Sequence, residues 1–331
     1  MTIKSNSYCI SLGLALVAAA PACAQTASSG AGQAYPVRPV RMVVPFAAGG
    51  NTDITARAIS AKLSEVFGQQ VIVDNRPGGA TNIGAEVVAK SPADGYMMLM
   101  GGASNAINMS LFAKPPYSTL RDFTPIILCV KGANVLTAHP SVPAKNLKEL
   151  IALARAQPGK LNFASSGIGS SNQMAGELLK VMAKINIVHV PYKGNAPAMT
   201  DTLAGHVELM FSGVPLIVPH VQSGRLRAIG IGSLKRFSAL PQVPTFDESG
   251  LKGYEATTWF GLLAPARVPR DIVARWNTEV AKILTSADIR ERFINDGLEP
   301  AGGSQEEFGK FIRTEIEKYA KVIKAAGVPQ Q

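Results

Sequence analysis

Short apolar segments alternate along most of the chain with stretches whose apolar residues recur every three or four positions. Residues 41–46 are an apolar run typical of a strand, and residues 52–67 place Ala58, Ile59 and Leu63 on one helical face. The same alternation predicts further strands at 71–73, 96–100, 125–130, 135–138, 161–164, 187–190, 207–211 and 226–232. The helices predicted between and after them span 82–90, 146–157, 170–184, 196–203, 215–223, 271–284 and 305–326. Such alternation predicts an α/β fold with a mainly parallel sheet that helices cover on both faces.

The first 34 residues follow a different pattern. Lys4 is their one charged residue, residues 10–20 are apolar, and Ala22–Ala24 has the small residues of a cleavage site. These are the parts of a bacterial-type secretory signal peptide at 1–24, so we predict export, cleavage after Ala24 and a flexible leader at 25–34. A membrane anchor is the alternative, but the apolar run is too short to cross about 30 Å of hydrocarbon. Lipidation of Cys23 instead of its removal stays open.

Composition narrows the class of protein further. Of 331 residues, 47% are hydrophobic and 17% are charged, which is typical of a chain with a large buried core and excludes a disordered chain or a disulfide-rich miniprotein. Two of the 3 cysteines lie in the predicted signal peptide, so Cys129 has no partner for an internal disulfide after export. The net charge of +10 is dispersed and forms no basic stripe with interleaved aromatic residues, so we predict no nucleic-acid partner.

The sequence contains few signs of catalysis. The histidines at 139, 189, 206 and 220 have no metal-ligand spacing, and no nucleophile elbow, Walker loop or dinucleotide-binding fingerprint occurs. We therefore predict no cofactor and no metal. A Ser-His-Asp triad assembled from distant parts of the chain stays open, so an exported serine hydrolase or esterase is an alternative, with His189 as its candidate base.

Small polar residues and glycines follow four of the apolar strands, where a helix or turn begins. These segments span 46–53, 100–105, 163–171 and 191–196. In a parallel α/β sheet they lie at the carboxyl ends of the strands, which is where ligands bind. Helix N-termini direct unpaired N–H groups and about half a positive charge at such a position, and Ser, Thr and Asn add neutral donors. Each segment by itself is also compatible with an ordinary capped turn, but together they predict a cleft that binds a carboxylate or phosphate.

At these same segments the chain resembles the receptor family of tripartite tricarboxylate transporters, the Bug-type extracytoplasmic solute-binding proteins. The resemblance covers nearly the whole chain after the leader. It is carried by PFAAGGNTDITAR at 45–57, NRPGG at 75–79, PADGY at 92–96, LNFASSGIGS at 161–170, HVPYKG at 189–194, GRLRA at 224–228, PQVPT at 241–245 and WFGLLAP at 259–265.

The resemblance implies a two-lobed type II periplasmic-binding-protein-like fold, with a mainly parallel sheet in each lobe. Lobe one would comprise residues 35–131 and 257–331, and lobe two residues 132–256. In this family two loops of lobe one grip a ligand carboxylate, and lobe two closes over it. Carried onto this chain, lobe one contributes Gly49, Gly50, Asn51, Thr52, Asp53, Ala103, Ser104 and Asn105. Lobe two contributes Ser166, Gly167, Gly169 and Ser170 within 166–171, followed by Tyr192, Gly194, Asn195 and Asp201.

Individual roles follow from residue chemistry. We expect Thr52, Asn105 and Ser170 to be side-chain donors, and Asp53 to cap its helix, because a second carboxylate would repel the ligand. Trp259 either forms a wall of the cleft or packs where the chain crosses between lobes. The family frequently has Asp where this chain has Ser212, a difference that disfavours a ligand with an ammonium group.

The predicted function is a periplasmic receptor for a small organic carboxylate, either a di- or tricarboxylate or an aromatic acid. The resemblance implies that it is not an enzyme, acts as a monomer and delivers its ligand to two membrane permease subunits. A ligand-sensing subunit of a signalling system is a second alternative, since it would use the same cleft with a different partner.

Overall fold

Strands and helices alternate from residue 40 onward in the computed structural model, which describes residues 1–2 and 35–331. The predicted cleavage site after Ala24 and the leader lie outside the described residues. The first elements are β1 (Val40–Val44), α1 (Asn51–Phe67), β2 (Val71–Asn75), α2 (Asn82–Ala89), β3 (Met97–Gly102), α3 (Ala103–Leu111), α4 (Thr119–Asp122) and β4 (Phe123–Ala138). The middle of the chain forms α5 (Leu147–Ala156), β5 (Asn162–Ser165), α6 (Ser171–Ala183), β6 (Val188–Pro191), α7 (Asn195–Leu203), β7 (Leu209–Gly213), α8 (Val214–Gln222) and β8 (Arg227–Ile231). The last elements are β9 (Thr257–Pro265), α9 (Arg270–Thr285), α10 (Ala287–Asn295), β10 (Leu298–Gly302) and α11 (Gln305–Ala326).

Local sequence explains where helix α11 begins and ends. Ser304 and Glu307 form a capping box, in which the Ser304 hydroxyl accepts from the Glu307 N–H and the Glu307 carboxylate accepts from the Ser304 N–H. The helix stops at Gly327, whose φ of 59° lies in the left-handed region that glycine adopts at low cost. Its buried face includes Phe308 and Ile312, so α11 packs against the sheet as its apolar spacing predicts.

The predicted α/β class is confirmed, but the sheet is mixed and not mainly parallel. The strand order is β2-β1-β3-β9-β4-β7-β5-β6, and β8 and β10 also pair with β4. Strand β1 runs parallel to β2 and β3, and β5 runs parallel to β6 and β7. Strands β9, β10, β8 and β7 all run antiparallel to β4. Strands β9 and β10, which the sequence pattern does not predict, return antiparallel to the first part of β4, and β7 and β8 pair antiparallel with its second part.

Strand β4 links the two parts of the sheet without a break. The sequence predicts two strands there, at 125–130 and 135–138, but the residues between them stay extended and paired. Residues 123–133 pair with β9, and residues 134–138 pair with β7. The prediction was wrong because Lys131 and Gly132 resemble a turn locally, whereas their pairing with β9 keeps them in the sheet.

Four apolar cores lie against this sheet. Two contain residues from 40–130 and 259–323, with Met174 as an exception, and two contain residues from 133–254. The two-lobe division stays a prediction, since residues 35–331 form one compact unit. Cys129 is fully buried in the first core, where burial raises the pKa of its thiol to about 12. Among the described residues, the helices include none long and apolar enough to span a membrane.

Candidate functional site

Residues from widely separated parts of the chain line a narrow cleft with a cavity volume of about 30 Å³. All 16 residues that line it are uncharged, and most are Ser, Thr, Asn or Gly. Eight are site residues predicted from the sequence: Gly50, Asn51, Thr52, Ala103, Ser104, Ser166, Ser170 and Asn195. Ser171, inside the predicted segment 166–171, also lines the cleft. Phe46 and Gly102 lie inside the predicted segments 46–53 and 100–105. The sequence does not single out the other five, which are Asn134, Asn172, Gly213, Thr258 and Phe260.

Five helices begin at this cleft. α1, α3, α6, α7 and α8 each contribute a lining residue from their N-cap or first turn. The first N–H groups of a helix have no partner within the helix, and the aligned peptide dipoles place about half a positive charge there. The cleft is therefore electrostatically suited to an anion although no cationic side chain lines it.

Four hydroxyl groups face the cleft without a hydrogen-bond partner within residues 35–331. They belong to Thr52, Ser104, Ser171 and Thr258, which are largely buried. Asn195 adds a side-chain oxygen that is buried and unpaired in the same part of the chain. The four hydroxyls can therefore donate to a polar molecule in the cleft, and the buried Asn195 oxygen costs about 1–3 kcal/mol while it lacks a partner.

Two residues predicted as donors are already occupied by contacts within the protein. The Asn105 side chain accepts from the Gly102 N–H at 3.0 Å and donates to the Tyr117 hydroxyl at 3.2 Å, and it does not line the cleft. The Ser170 hydroxyl lines the cleft, but it donates to the Gly167 carbonyl at 2.6 Å and caps α6. Asn105 thus positions the start of α3, while its neighbour Ser104 presents the available hydroxyl.

Asp53 stabilises the loop that precedes α1 and does not line the cleft. Its carboxylate accepts from the Gly49 N–H at 2.9 Å, from Arg57 Nε at 2.9 Å and from Asn75 Nδ2 at 3.0 Å. Burial raises the pKa of this carboxyl, but the three donors outweigh that effect and hold the pKa below its ordinary value. Gly49 lies in the same loop and is not part of the cleft lining.

We expect Asp53→Asn to lower the free energy of unfolding by about 1–3 kcal/mol at pH 7, because an amide cannot accept all three hydrogen bonds. A carboxyl with a lowered folded-state pKa stabilises the fold above its unfolded pKa of about 3.9 and loses this contribution as pH falls through the folded value. The difference between the two proteins should therefore shrink below about pH 4. Urea unfolding of both proteins at pH 7 and pH 3 measures this difference in the free energy of unfolding. A difference that is the same at both pH values would contradict the ionic role of Asp53.

Asn51 connects the two sides of the cleft. Its Nδ2 donates to the Ser212 hydroxyl at 3.2 Å, and its Oδ1 accepts from the Leu216 N–H in the first turn of α8 at 3.2 Å. A backbone hydrogen bond of 3.1 Å from the Ala47 N–H to the Lys193 carbonyl joins the same two sides. The structure therefore describes a closed arrangement, in which protein groups already bridge the cleft.

Two of the predicted glycines allow backbone segments to approach each other closely. Gly194 has a φ of 144°, and a Cβ there would lie 3.1 Å from the Ala47 nitrogen across the cleft. Gly167 has a φ of 126°, and its Cβ would lie 2.6 Å from the Tyr192 carbonyl oxygen. At Gly167 a side chain would collide with the Tyr192 carbonyl, and at Gly194 it would press against Ala47 across the cleft.

The remaining predicted residues lie beside the cleft. Tyr192 and Gly167 line a neighbouring groove, and the Tyr192 hydroxyl donates to Asp201 at 2.7 Å. Burial and this hydrogen bond raise the pKa of Tyr192 to about 12, so the phenol stays neutral. Gly169 lies behind the wall, against Asn108. Asp201 therefore orients Tyr192 and does not line the cleft.

A chain of side-chain hydrogen bonds forms the floor of the cleft. The Ser166 hydroxyl donates to Asn172 Oδ1 at 2.6 Å, and Asn172 Nδ2 donates to Asn134 Oδ1 at 2.6 Å. Asn134 Nδ2 in turn contacts the carbonyls of Ser171 at 3.3 Å and Ala256 at 3.2 Å. This network joins the start of α6 to β4 and to the residue immediately before β9.

Trp259 packs against α11 and does not line the cleft. Its ring is almost fully buried against Phe308 and Phe311, and its Nε1 donates to Glu315 at 3.0 Å. Its neighbours Thr258 and Phe260 line the cleft, because successive side chains of a strand point to opposite faces of the sheet.

The geometry does not provide the parts of a serine hydrolase. Ser165 Oγ lies 2.6 Å from His189 Nε2, but Ser165 is fully buried and lines none of the hollows described here. The second ring nitrogen of His189 has no carboxylate partner in the described part of the chain. Burial lowers the pKa of His189 to about 4, and the ring stacks on Phe163. Within residues 35–331 no group of acidic, His or Cys side chains has the arrangement of a metal site.

Comparison with known proteins identifies the family. The model of the tripartite tricarboxylate transporter family receptor matches residues 55–328. The UPF0065 protein in the tcbD-tcbE intergenic region of Pseudomonas sp. (strain P51) is 39% identical over 316 residues, which cover 94% of each chain. The structure of R. palustris Rpa4515 with adipate is 38% identical with a TM-score of 0.86, covering 88% of this chain and 98% of that one. The periplasmic binding protein BugD is 35% identical with a TM-score of 0.87, covering 90% of this chain and 100% of that one.

These matches confirm the resemblance seen in the sequence and the periplasmic-binding-protein type of fold. The chain belongs to the tripartite tricarboxylate transporter receptor family, whose members are solute-binding receptors and not enzymes.

Proposed function

We propose that the protein binds a small organic carboxylate in the cleft and delivers it to a tripartite tricarboxylate-type transporter. The observation that carries this proposal is the uncharged cleft at which five helices begin and four hydroxyls lack a partner in the described chain. Neutral dipoles of this kind bind an anion without a fixed counter-ion. The adipate held by the relative Rpa4515 supports a carboxylate as the ligand class.

We further propose that ligand binding is coupled to hinge closure between lobe one (35–131 and 257–331) and lobe two (132–256). The chain would cross between the lobes along β4 and immediately before β9. Support comes from the bridging contacts of Asn51 and Ala47 and from the separate apolar cores on the two sides. A ligand favours the closed form when it contacts both lobes together.

We propose that the protein acts in the periplasm together with membrane proteins. A periplasmic location agrees with relatives that are periplasmic binding proteins, and we propose cleavage after Ala24 and action as a monomer with two membrane permease subunits. A sensing subunit would use the same cleft, so co-purification of the exported protein with a kinase ectodomain instead of a permease would favour that alternative.

A thermal-unfolding screen of mono-, di-, tri- and aromatic carboxylates tests the ligand class on protein refolded to remove bound ligand. A ligand at 100 times its Kd should stabilise the protein by about 2.7 kcal/mol, while the amide of the same acid should not.

Thr52→Val removes one free hydroxyl at constant shape and should weaken binding by about fivefold to tenfold. Thr202→Val is the matched control, because this buried hydroxyl donates to Ala198 in α7, away from the cleft. Absence of stabilisation by every acid would contradict the proposal.

A further inference from the structure

A second hollow lies beside the cleft and is called here the outer groove. It has a volume of about 390 Å³ and adjoins the cleft at Phe46 and Ser166, which line both hollows. The rest of its lining comes from both sides of the cleft: Pro45, residues 78–81, Phe112, residues 167–168, residues 191–193 and Gln331.

The outer groove differs from the cleft in chemistry. Its surface includes the rings of Phe46, Phe112 and Tyr192 and the side chains of Ile168 and Pro45, whereas Ser, Thr and Asn dominate the cleft. Phe46, Phe112 and Ile168 are only half-buried, so apolar surface remains available to a ligand. An apolar group that leaves water for this surface gains affinity in proportion to the area it buries.

Lys193 is the one cationic side chain among the described residues that line the outer groove, and no acidic side chain lines it. Lys193 is exposed and forms no ion pair within residues 35–331. The hydrogen bond from the Ala47 N–H to its carbonyl fixes its backbone when the two sides of the cleft are in contact. Its ammonium group is therefore available to a negative charge at the far end of a ligand.

We propose that the outer groove is a second subsite, which selects acids with an extended apolar body and a second anionic group. This inference rests on the proposed function. One carboxylate lies at the helix N-termini of the cleft, the apolar body passes Phe46 into the groove, and the distal anion pairs with Lys193. Compact acids occupy the cleft alone and gain nothing from the groove.

Three acids separate these contributions, namely propionate, hexanoate and adipate. Hexanoate has three more methylene groups than propionate. Each methylene group that becomes fully buried raises affinity by up to about fourfold, so we expect hexanoate to bind at least about tenfold more tightly than propionate. Adipate has a chain of the same length as hexanoate and carries a second carboxylate. We expect adipate to bind about 3- to 10-fold more tightly than hexanoate, and this difference should decrease at high salt.

Two variants test the subsite by calorimetry. Lys193→Met keeps the apolar stem of the side chain and removes its charge. It should abolish the preference for adipate over hexanoate and leave the preference for hexanoate over propionate unchanged. Ile168→Trp fills the groove and should reduce the preference for hexanoate over propionate. Lys160→Met is the control, since it removes the same charge. Lys160 precedes β5 and therefore lies at the opposite end of that strand from the cleft, so this variant should change neither affinity ratio.

The outcomes distinguish this inference from the proposed function. If compact acids bind but hexanoate gains nothing, or if Lys193→Met keeps the full adipate preference, the subsite is wrong and the carboxylate receptor stands. If no acid of the wider screen binds, the proposed function fails and the subsite fails with it. Loss of the adipate preference in Lys193→Met alone, with Lys160→Met unchanged, supports the subsite.

Discussion

Replacing Asn51 with alanine is expected to weaken carboxylate binding by about 10- to 100-fold while changing the free energy of unfolding by less than about 1 kcal/mol. The Asn51 amide bonds the Ser212 hydroxyl and the Leu216 N–H, both on the opposite side of the cleft. In the proposed hinge closure these two hydrogen bonds form only when the cleft closes, so their loss should lower the population of the closed form. Apparent affinity falls in proportion to the population that can enclose the ligand. Calorimetric titration with an acid found in the screen measures the change.

Asn51 also lines the cleft, so a direct contact with the ligand must be separated from its bridging role. Ser212 provides the control, because its hydroxyl receives the Asn51 hydrogen bond but is not part of the lining. We expect Ser212→Ala alone to weaken binding by about 3- to 10-fold, and the double variant to lose less than the two single effects combined. Additive effects, or normal affinity in Ser212→Ala, would show that the bridge does not contribute to closure.

The sequence predicts which segments form the cleft because the signals are local. A run of apolar residues followed by Gly, Ser, Thr or Asn predicts a strand that ends and a helix that begins, and this pattern holds for α1, α3, α6 and α7. Each of the four predicted segments contributes residues to the cleft lining. Which of the side chains in a segment faces the cleft depends on packing, so Ser104 faces it while Asn105 turns inward to Tyr117.

The strand residues that line the cleft could not be predicted in the same way. Asn134 and Thr258 lie within strands β4 and β9, surrounded in sequence by residues of ordinary strand character. They meet the cleft because β4 and β9 pair with each other, although more than a hundred residues separate them in the chain. The direction of β9 is equally invisible to local periodicity, since alternating burial is the same in parallel and antiparallel strands.

Replacing Asn134 with leucine is expected to lower the free energy of unfolding by about 2–4 kcal/mol and to weaken carboxylate binding by more than about tenfold. Asn134 is fully buried, and its amide bonds Asn172 and the carbonyls of Ser171 and Ala256. Leucine has a similar volume, so the effect comes from unpaired polar groups and not from a cavity. Asn172 and Ser171 line the cleft at the start of α6, so their displacement should also disturb the ligand site.

Thr137→Val separates the role of Asn134 from a general weakening of β4. Thr137 is equally buried three residues further along the strand, where its hydroxyl donates to the Met210 carbonyl at 3.2 Å. Its loss should cost about 0.5–1.5 kcal/mol of stability and leave affinity unchanged. If Asn134→Leu is destabilised and yet binds normally, the amide network supports only the fold. If stability and affinity fall together in Asn134→Leu and affinity is intact in Thr137→Val, the network that joins β4, Ala256 and α6 couples the crossover to the ligand site.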